Sequence, residues 1–277
     1  MKYLKAAFDF LVKHWIVLVP VFVATFIPAL LIRPTAGNLR EVWQEFSLNR
    51  EYYVANTEAL QALITSAKTG TNSGGMFATI LNLAAFPMTA GLIKLGLMGE
   101  NITFNDFTTA LSENIVKYLK LIFGGILLGL AVGLVSVIYV IVTFMVTFSG
   151  DTLNLFALIG LLLLLILVLA VGAVFFTFWF AAMVLDDLTV MNAIKKSFAS
   201  VKRCFWTVVG VTLLIQILTN ILSSIAGGFS GIPLVGALLS SVVATGSTVL
   251  TMAFTFILYR SINNQASLET SDESVIY

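Results

Sequence analysis

The sequence predicts an all-α polytopic membrane protein. Six transmembrane helices form three hairpin units, each preceded by an amphipathic elbow helix on the cytoplasmic side. Three observations lead there. Six apolar runs, roughly 15–32, 76–98, 121–148, 155–185, 205–226 and 235–259, are long enough to cross a hydrocarbon core, which takes about 20 helical residues. Only 10% of the residues are charged and 59% are hydrophobic, whereas a soluble domain is about 25% charged. Finally, the linkers between runs set basic residues opposite apolar stripes, the pattern of helices that lie along a membrane surface. The runs lack the in-out alternation of a membrane barrel, which excludes strands as the spanning element.

The first run follows Lys2, Lys5 and Lys13, is interrupted by Pro20 and Pro28, and ends at Arg33 and Pro34 without a small-residue cleavage motif. It is therefore expected to be a retained span. Residues 33–75 form the one long polar connection. Within it, Leu39, Val42, Trp43 and Phe46, then Leu60, Leu63, Ile64 and Ala67, recur at helical spacing. About 40 residues cannot bury a core of their own, so 38–67 is expected to be an outer helical lid resting on the bundle or the outer leaflet. The stretch KTGTNSGG, 68–75, predicts a hinge into the second span. The fourth run is the most apolar, LIGLLLLLILVLA from Leu158 to Ala170, and is long enough to tilt. Residues 1–260 are expected to make a single six-span domain, and the polar segment 261–277 a disordered cytoplasmic tail.

The elbow is most distinct between Val184 and Gly210. Asp186 and Asp187 end the fourth run and favour the start of the next helix electrostatically. Val190, Ile194, Phe198, Val201 and Phe205 then form an apolar stripe, with Lys195, Lys196, Lys202 and Arg203 on the other face. Two further copies are expected. One places Phe104, Phe107, Leu111, Ile115 and Tyr118 along the stripe, Lys117 in the place of Arg203, and a capping-box-like Thr103 and Asp106 at its start. The other places Leu4, Phe8, Leu11 and Trp15 along the stripe and Lys13 in the place of Arg203.

The basic residues also set an orientation. Lys2, Lys5, Lys13, Lys117, Lys120, Lys195, Lys196, Lys202, Arg203 and Arg260 fall on one side of a six-span arrangement, and Arg33, Arg40, Arg50 and Lys68 on the other. Ten against four predicts cytoplasmic termini and residence in a cytoplasmic (inner) membrane.

Several positions are candidates for packing or function. Gly125, Gly129 and Gly133 share one helical face and allow close helix approach, within the molecule or between copies. Ala237, Ser241 and Thr245 make a second small-residue face. Lys94, near the end of the second span, either snorkels to the surface or serves function inside the membrane. Gln216 and Asn220 either hydrogen-bond between helices or line an intramembrane polar path. The apolar runs hold no Asp or Glu at mid-depth, which argues against a proton- or sodium-driven pump.

Enzyme chemistry finds no support in the motifs. GxxxxGK[ST], GxSxG and HExxH are all missing, and a single His14 and a single Cys204 leave no metal or disulfide framework. No catalytic residue, cofactor or metal is expected. A net charge of +1 gives no reason to expect a nucleic-acid partner.

The elbow VLDD…MNAIKKSFASVKRCFW and the late segment GIPLVGALLSSV…FTFILYRSI together resemble the integral membrane domain attached to some bacterial glycerophosphoryl diester phosphodiesterases, and related free-standing six-span proteins. Shared features are a basic opening helix before a proline-containing span (Lys13 to Pro20) and an acidic residue before an Ala-x-Lys-x-Ser-Phe-like elbow (Asp186 to Phe198); the Tyr259-Arg260 ending is kept in part. The phosphodiesterase catalytic domain is not in this sequence, so the resemblance implies no catalytic residue.

The expected function is a non-catalytic membrane accessory or scaffold. Its basic elbows, through Lys13, Lys117, Lys195, Lys196, Lys202 and Arg203, would engage anionic membrane lipids or a cytoplasmic or membrane protein partner. The alternative is a transporter or permease subunit for a lipid-like or peptide amphiphile, with Gln216, Asn220 and Lys94 on its path. The sequence leaves the oligomeric state open.

Overall fold

A computed structural model describes residues 2–31, 44–56, 58–59, 72–148, 155–229 and 232–273. Every regular element among them is helical. In chain order they are α1 (Lys2–Lys13), a 3₁₀ turn (Trp15–Leu18), α2 (Val19–Leu31), α3 (Arg50–Ala55), α4 (Asn72–Met98), α5 (Asp106–Phe148), α6 (Leu155–Phe175), α7 (Trp179–Leu185), α8 (Val190–Gly227) and α9 (Pro233–Glu273). Half of the expected lid, 38–67, and half of the expected hinge, 68–75, lie outside the described residues; the rest of the hinge, 72–75, is not a flexible turn but the first turn of α4.

Five stretches are long and apolar enough to cross a membrane: Phe77–Met98, Asp106–Met145, Leu162–Leu185, Val190–Gly227 and Leu234–Asn264. A sixth is added if α1 and the helix after it, Lys2–Lys13 and Trp15–Leu30, count as one bent element. The two pieces of that element meet at 95°.

The chain forms two compact units. The first comprises Met1–Leu111 and Thr212–Phe254, and the second Ser112–Val211 and Thr255–Tyr277. In the first unit α2 packs along α4. Val17, Val21 and Ala24 are buried there, as are Ala85, Thr89, Leu92 and Ile93 of α4 and Val249 and Ala253 of α9. Ala237, Ser241 and Thr245 of α9 are also buried, so the small-residue face predicted for that span is a packing face. Thr245 Oγ1 lies 3.0 Å from Thr25 Oγ1, a hydrogen bond between α9 and α2. In the second unit the core is Phe178, Ala182, Met183 and Val184 around α7, with Ala193 and Val201 of α8 and Phe256 and Tyr259 of α9.

Four further findings bear on the sequence reading. The fourth span is not continuous: α6 ends at Phe175 and α7 starts at Trp179. The second elbow is not a separate helix, because 106–148 is a single helix of 43 residues. Nothing in YLKLIFGG (118–125) breaks a helix strongly enough to turn the chain, and the amphipathic segment runs straight into the apolar one. At 1.5 Å per residue this helix is about 65 Å long, roughly twice the hydrocarbon thickness, so its polar first turns must extend beyond the apolar layer. Third, the chain does not leave helix at Arg260; α9 continues to Glu273.

The fourth concerns the glycine ridge. A side chain built at Gly125, Gly129 or Gly133 would meet no other atom within 4 Å. Around it, Phe123, Ile126, Leu130, Leu134, Val137 and Ile138 are all exposed. Among the described residues the ridge therefore meets no packing partner; pairing between copies, the other use open to it, needs a second chain. The glycine of α5 that does permit close approach is Gly124, where a Cβ would come within 3.0 Å of the Trp179 ring and 3.3 Å of Val190 Cγ1.

Candidate functional site

Each unit has a turn at which polar side chains meet. In the first unit the junction between α1 and α2 is such a place. His14 leaves helical geometry (φ −117°, ψ 50°) and turns the chain. Its N–H still donates to Phe10 O at 2.9 Å, closing α1, and its own carbonyl accepts from Val17 N–H at 3.0 Å, opening the 3₁₀ turn. Lys13 in the last turn of α1 suits the negative end of the helix dipole. Ala7 and Leu11 face inward, whereas Phe8, Val12 and Trp15, spaced four and three apart, form an exposed apolar row. Lys2, Lys5 and Lys13 are exposed.

The turn after α4 lies against this junction. Gly99 adopts φ +89°, the left-handed conformation that glycine takes without strain. Its N–H donates to Gly96 O and Glu100 N–H to Leu95 O, each at 3.2 Å, which is a Schellman ending. Gly96 lets the Phe10 ring approach α4 closely; a Cβ there would be 2.8 Å from it. The following residues, Asn101 and Ile102, close a cavity of about 140 Å³ with Lys13, His14, Trp15 and Ile16. Partial burial, and then the neighbouring Lys13 charge, hold the His14 imidazole below its ordinary pKa. Beyond the cavity, Thr103 donates both its N–H (2.7 Å) and its Oγ1–H (2.8 Å) to Asp106 Oδ2. This is the reach-back half of the predicted capping box. These hydrogen bonds, backbone first, keep the Asp106 carboxyl below the usual carboxylate range, ahead of the apolar part of α5.

In the second unit the site is the turn Asp186–Thr189. Asp187 takes φ +52°, which Asp tolerates better than most residues. Its carboxylate accepts a charge-assisted hydrogen bond from Lys117 of α5, and Asp186 accepts one from the Tyr259 hydroxyl of α9. The two acidic residues thus tie three helices together besides separating α7 from α8. Lys117, expected to face lipid or a partner, is engaged with Asp187.

The break between α6 and α7 is repaired from α8. Ser197, fully buried, accepts from Phe178 N–H at 3.2 Å and donates to Phe175 O at 2.6 Å. One hydroxyl thus satisfies two backbone groups that the interrupted helix leaves open. The buried face of the first half of α8 is Ala193, Ser197, Ser200 and Val201. Of the predicted stripe only Val201 is buried, and Phe198 is 36% exposed while stacking on Phe175 at 5.0 Å. Lys195, Lys196, Lys202 and Arg203 are exposed, as expected for the opposite face. At Cys204 the backbone departs from helical geometry (φ −136°, ψ 22°), so α8 is kinked where the elbow was expected to meet its span.

Gln216 and Asn220 are exposed and bond to each other, Nε2 to Oδ1 at 3.4 Å. Lys94 is half-buried near the end of α4.

Sequence reasoning missed Ser197, Trp179 over Gly124, and the role of Tyr259. The first two needed knowledge of the break at 176–178. Tyr259 had one signal, a hydroxyl-bearing ring at the basic end of an otherwise apolar run.

The class is that of an all-helical protein with several helices long and apolar enough to cross a membrane, consistent with a multi-pass membrane protein. The chain belongs to the family described as a domain of unknown function, DUF7847, whose profile matches residues 21–262. That match carries no link to glycerophosphoryl diester phosphodiesterases. Among curated proteins and among solved structures, none matches the chain.

Proposed function

We propose that the protein is a non-catalytic accessory or scaffold of a cytoplasmic membrane. In this reading it makes six crossings with both termini in the cytoplasm, and basic surface helices engage anionic lipid headgroups or a cytoplasmic partner. The observation that carries the reading is the 95° bend between α1 and the helix that follows. If α2 crosses the bilayer, a helix at right angles to it lies in the membrane plane. In that position Phe8, Val12 and Trp15 reach acyl chains while Lys2, Lys5 and Lys13 reach phosphates. The kink at Cys204 lets 190–204 leave the axis of its span, with four exposed basic residues available to the same leaflet.

The transport reading is weaker. A polar path requires Gln216 and Asn220 to line an interior, and both lie on an exposed face with their amides engaged on each other.

The test is a four-fold variant, Lys195→Gln, Lys196→Gln, Lys202→Gln and Arg203→Gln. All four side chains are exposed, so the fold should survive. Native mass spectrometry from mixed micelles should show that the variant carries fewer phosphatidylglycerol molecules than the wild type, with phosphatidylcholine binding unchanged. Failing that, cross-linking in membranes should show loss of a cytoplasmic partner. A variant unchanged in both respects contradicts the proposal.

A further inference from the structure

The cavity at the α1–α2 junction has a lining that selects for one kind of ligand. It holds one ammonium (Lys13), one imidazole (His14), one indole (Trp15) and one amide (Asn101), with Ile16 and Ile102 on the apolar side. No carboxylate lines it; the nearest in sequence, Glu100, is exposed. Lys13 has no carboxylate partner among the described residues, whereas Lys117 directs its charge to Asp187. A cation with neutral donors beside it and no acid is a site for an anion.

Size and surroundings narrow the anion further. About 140 Å³ far exceeds the space one water needs, about 10–15 Å³, and accommodates a phosphate group. One side of the cavity is apolar, and the exposed row Phe8, Val12, Trp15 ends at its mouth. A soluble phosphate would leave that row in water, whereas a phospholipid covers it with its acyl chains while its headgroup sits beside Lys13.

We infer that this cavity seats the phosphate of a single anionic phospholipid, held by Lys13 and Asn101 with the acyl chains along the outer face of α1. The inference rests on the proposal that α1 lies in the headgroup layer, and it adds a discrete site to what is otherwise a diffuse electrostatic attraction. Trp15 sits between the two parts of the ligand, its ring against the glycerol region, where amphipathic aromatics prefer to be.

The experiment uses the full chain, with phosphatidylglycerol as the probe, in native mass spectrometry of mixed micelles. The wild type should retain one phosphatidylglycerol under conditions that strip phosphatidylcholine. Lys13→Gln and, separately, Asn101→Leu should each weaken that single adduct on the order of tenfold, the effect of losing a hydrogen bond to a charged group. Both residues are exposed, so two independent variants guard against a folding artefact. The four-fold variant of α8 should keep the tight adduct while losing weaker ones. If both cavity variants hold the adduct as the wild type does, the site is overturned, and the behaviour of the α8 variant then decides separately whether the broader lipid reading stands. Displacement of the adduct by millimolar glycerol 3-phosphate would also overturn the inference, in favour of a soluble phosphate ligand.

Discussion

Two helices carry a row of small residues four apart, and the structure uses them in opposite ways. In α9, Ala237, Ser241 and Thr245 are all buried, and Thr245 exchanges a hydrogen bond with Thr25. In α5, Gly125, Gly129 and Gly133 have no other atom within 4 Å of an added side chain among the described residues. Close approach is permitted in both places, but the row itself contains a hydrogen-bonding side chain in α9 and none in α5. Between helices in a membrane there is little hydrophobic drive, because lipid tails are as apolar as leucine. What distinguishes the α9 row is its packing and the single hydroxyl pair of Thr245 with Thr25; Ser241 Oγ is buried with no hydrogen-bond partner among the described residues. A glycine row without a polar group lets a helix pack closely; it does not compel packing.

The largest expected effect comes from filling the two rows. Ser241→Leu should destabilise the protein by about 1–3 kcal/mol through overpacking, read as a lower thermal midpoint in detergent. Gly129→Leu should change it by less than about 0.5 kcal/mol. An equal loss at Gly129, or a change in oligomeric mass, would break the comparison by showing that a second copy covers the α5 row.

A smaller effect sharpens it within α5. Gly124 and Gly125 are neighbours, yet only Gly124 has a side chain poised over it, Trp179, with Val190 beside it. Gly124→Ala should cost about 1 kcal/mol because the buried Trp179 ring has little room to retreat. Gly125→Ala should have no measurable cost in the same thermal measurement. Equal responses would mean that the contact between Trp179 and α5 is looser than the geometry shows.

The same contrast explains what the sequence made legible. The helical class and the places of the long apolar helices follow from continuous apolar runs, which need only local composition. The breaks were less legible because they depend on distant groups. Nothing in Phe176, Thr177 and Phe178 marks the end of a helix; the interruption is possible because Ser197 supplies a donor and an acceptor from α8. The inward face of α8 was not legible at all. The stripe with Ile194 and Phe198 is the one assigned to the membrane surface, and Phe198 is indeed exposed. What faces the protein is Val201 of that stripe with Ala193, Ser197 and Ser200, small residues that carry no apolar signal of their own. Of the candidate site, the exposed cations of α8 and the link between Thr103 and Asp106 were readable. The pairing of Lys117 with Asp187 was not, since 70 residues separate the partners.

The account depends most on how α1 lies, because a 95° bend puts it in the membrane plane only if α2 is the crossing helix. Nitroxide labels at Lys5, Phe8 and Val12, then at Val23 and Ile27, in a Cys204→Ser background with the protein in a bilayer, report depth directly through oxygen and nickel accessibility. The account predicts one shallow depth for the three α1 positions and a steep descent from Val23 to Ile27. Depth that instead grows by about 1.5 Å per residue along α1, as it would in an upright helix, contradicts it.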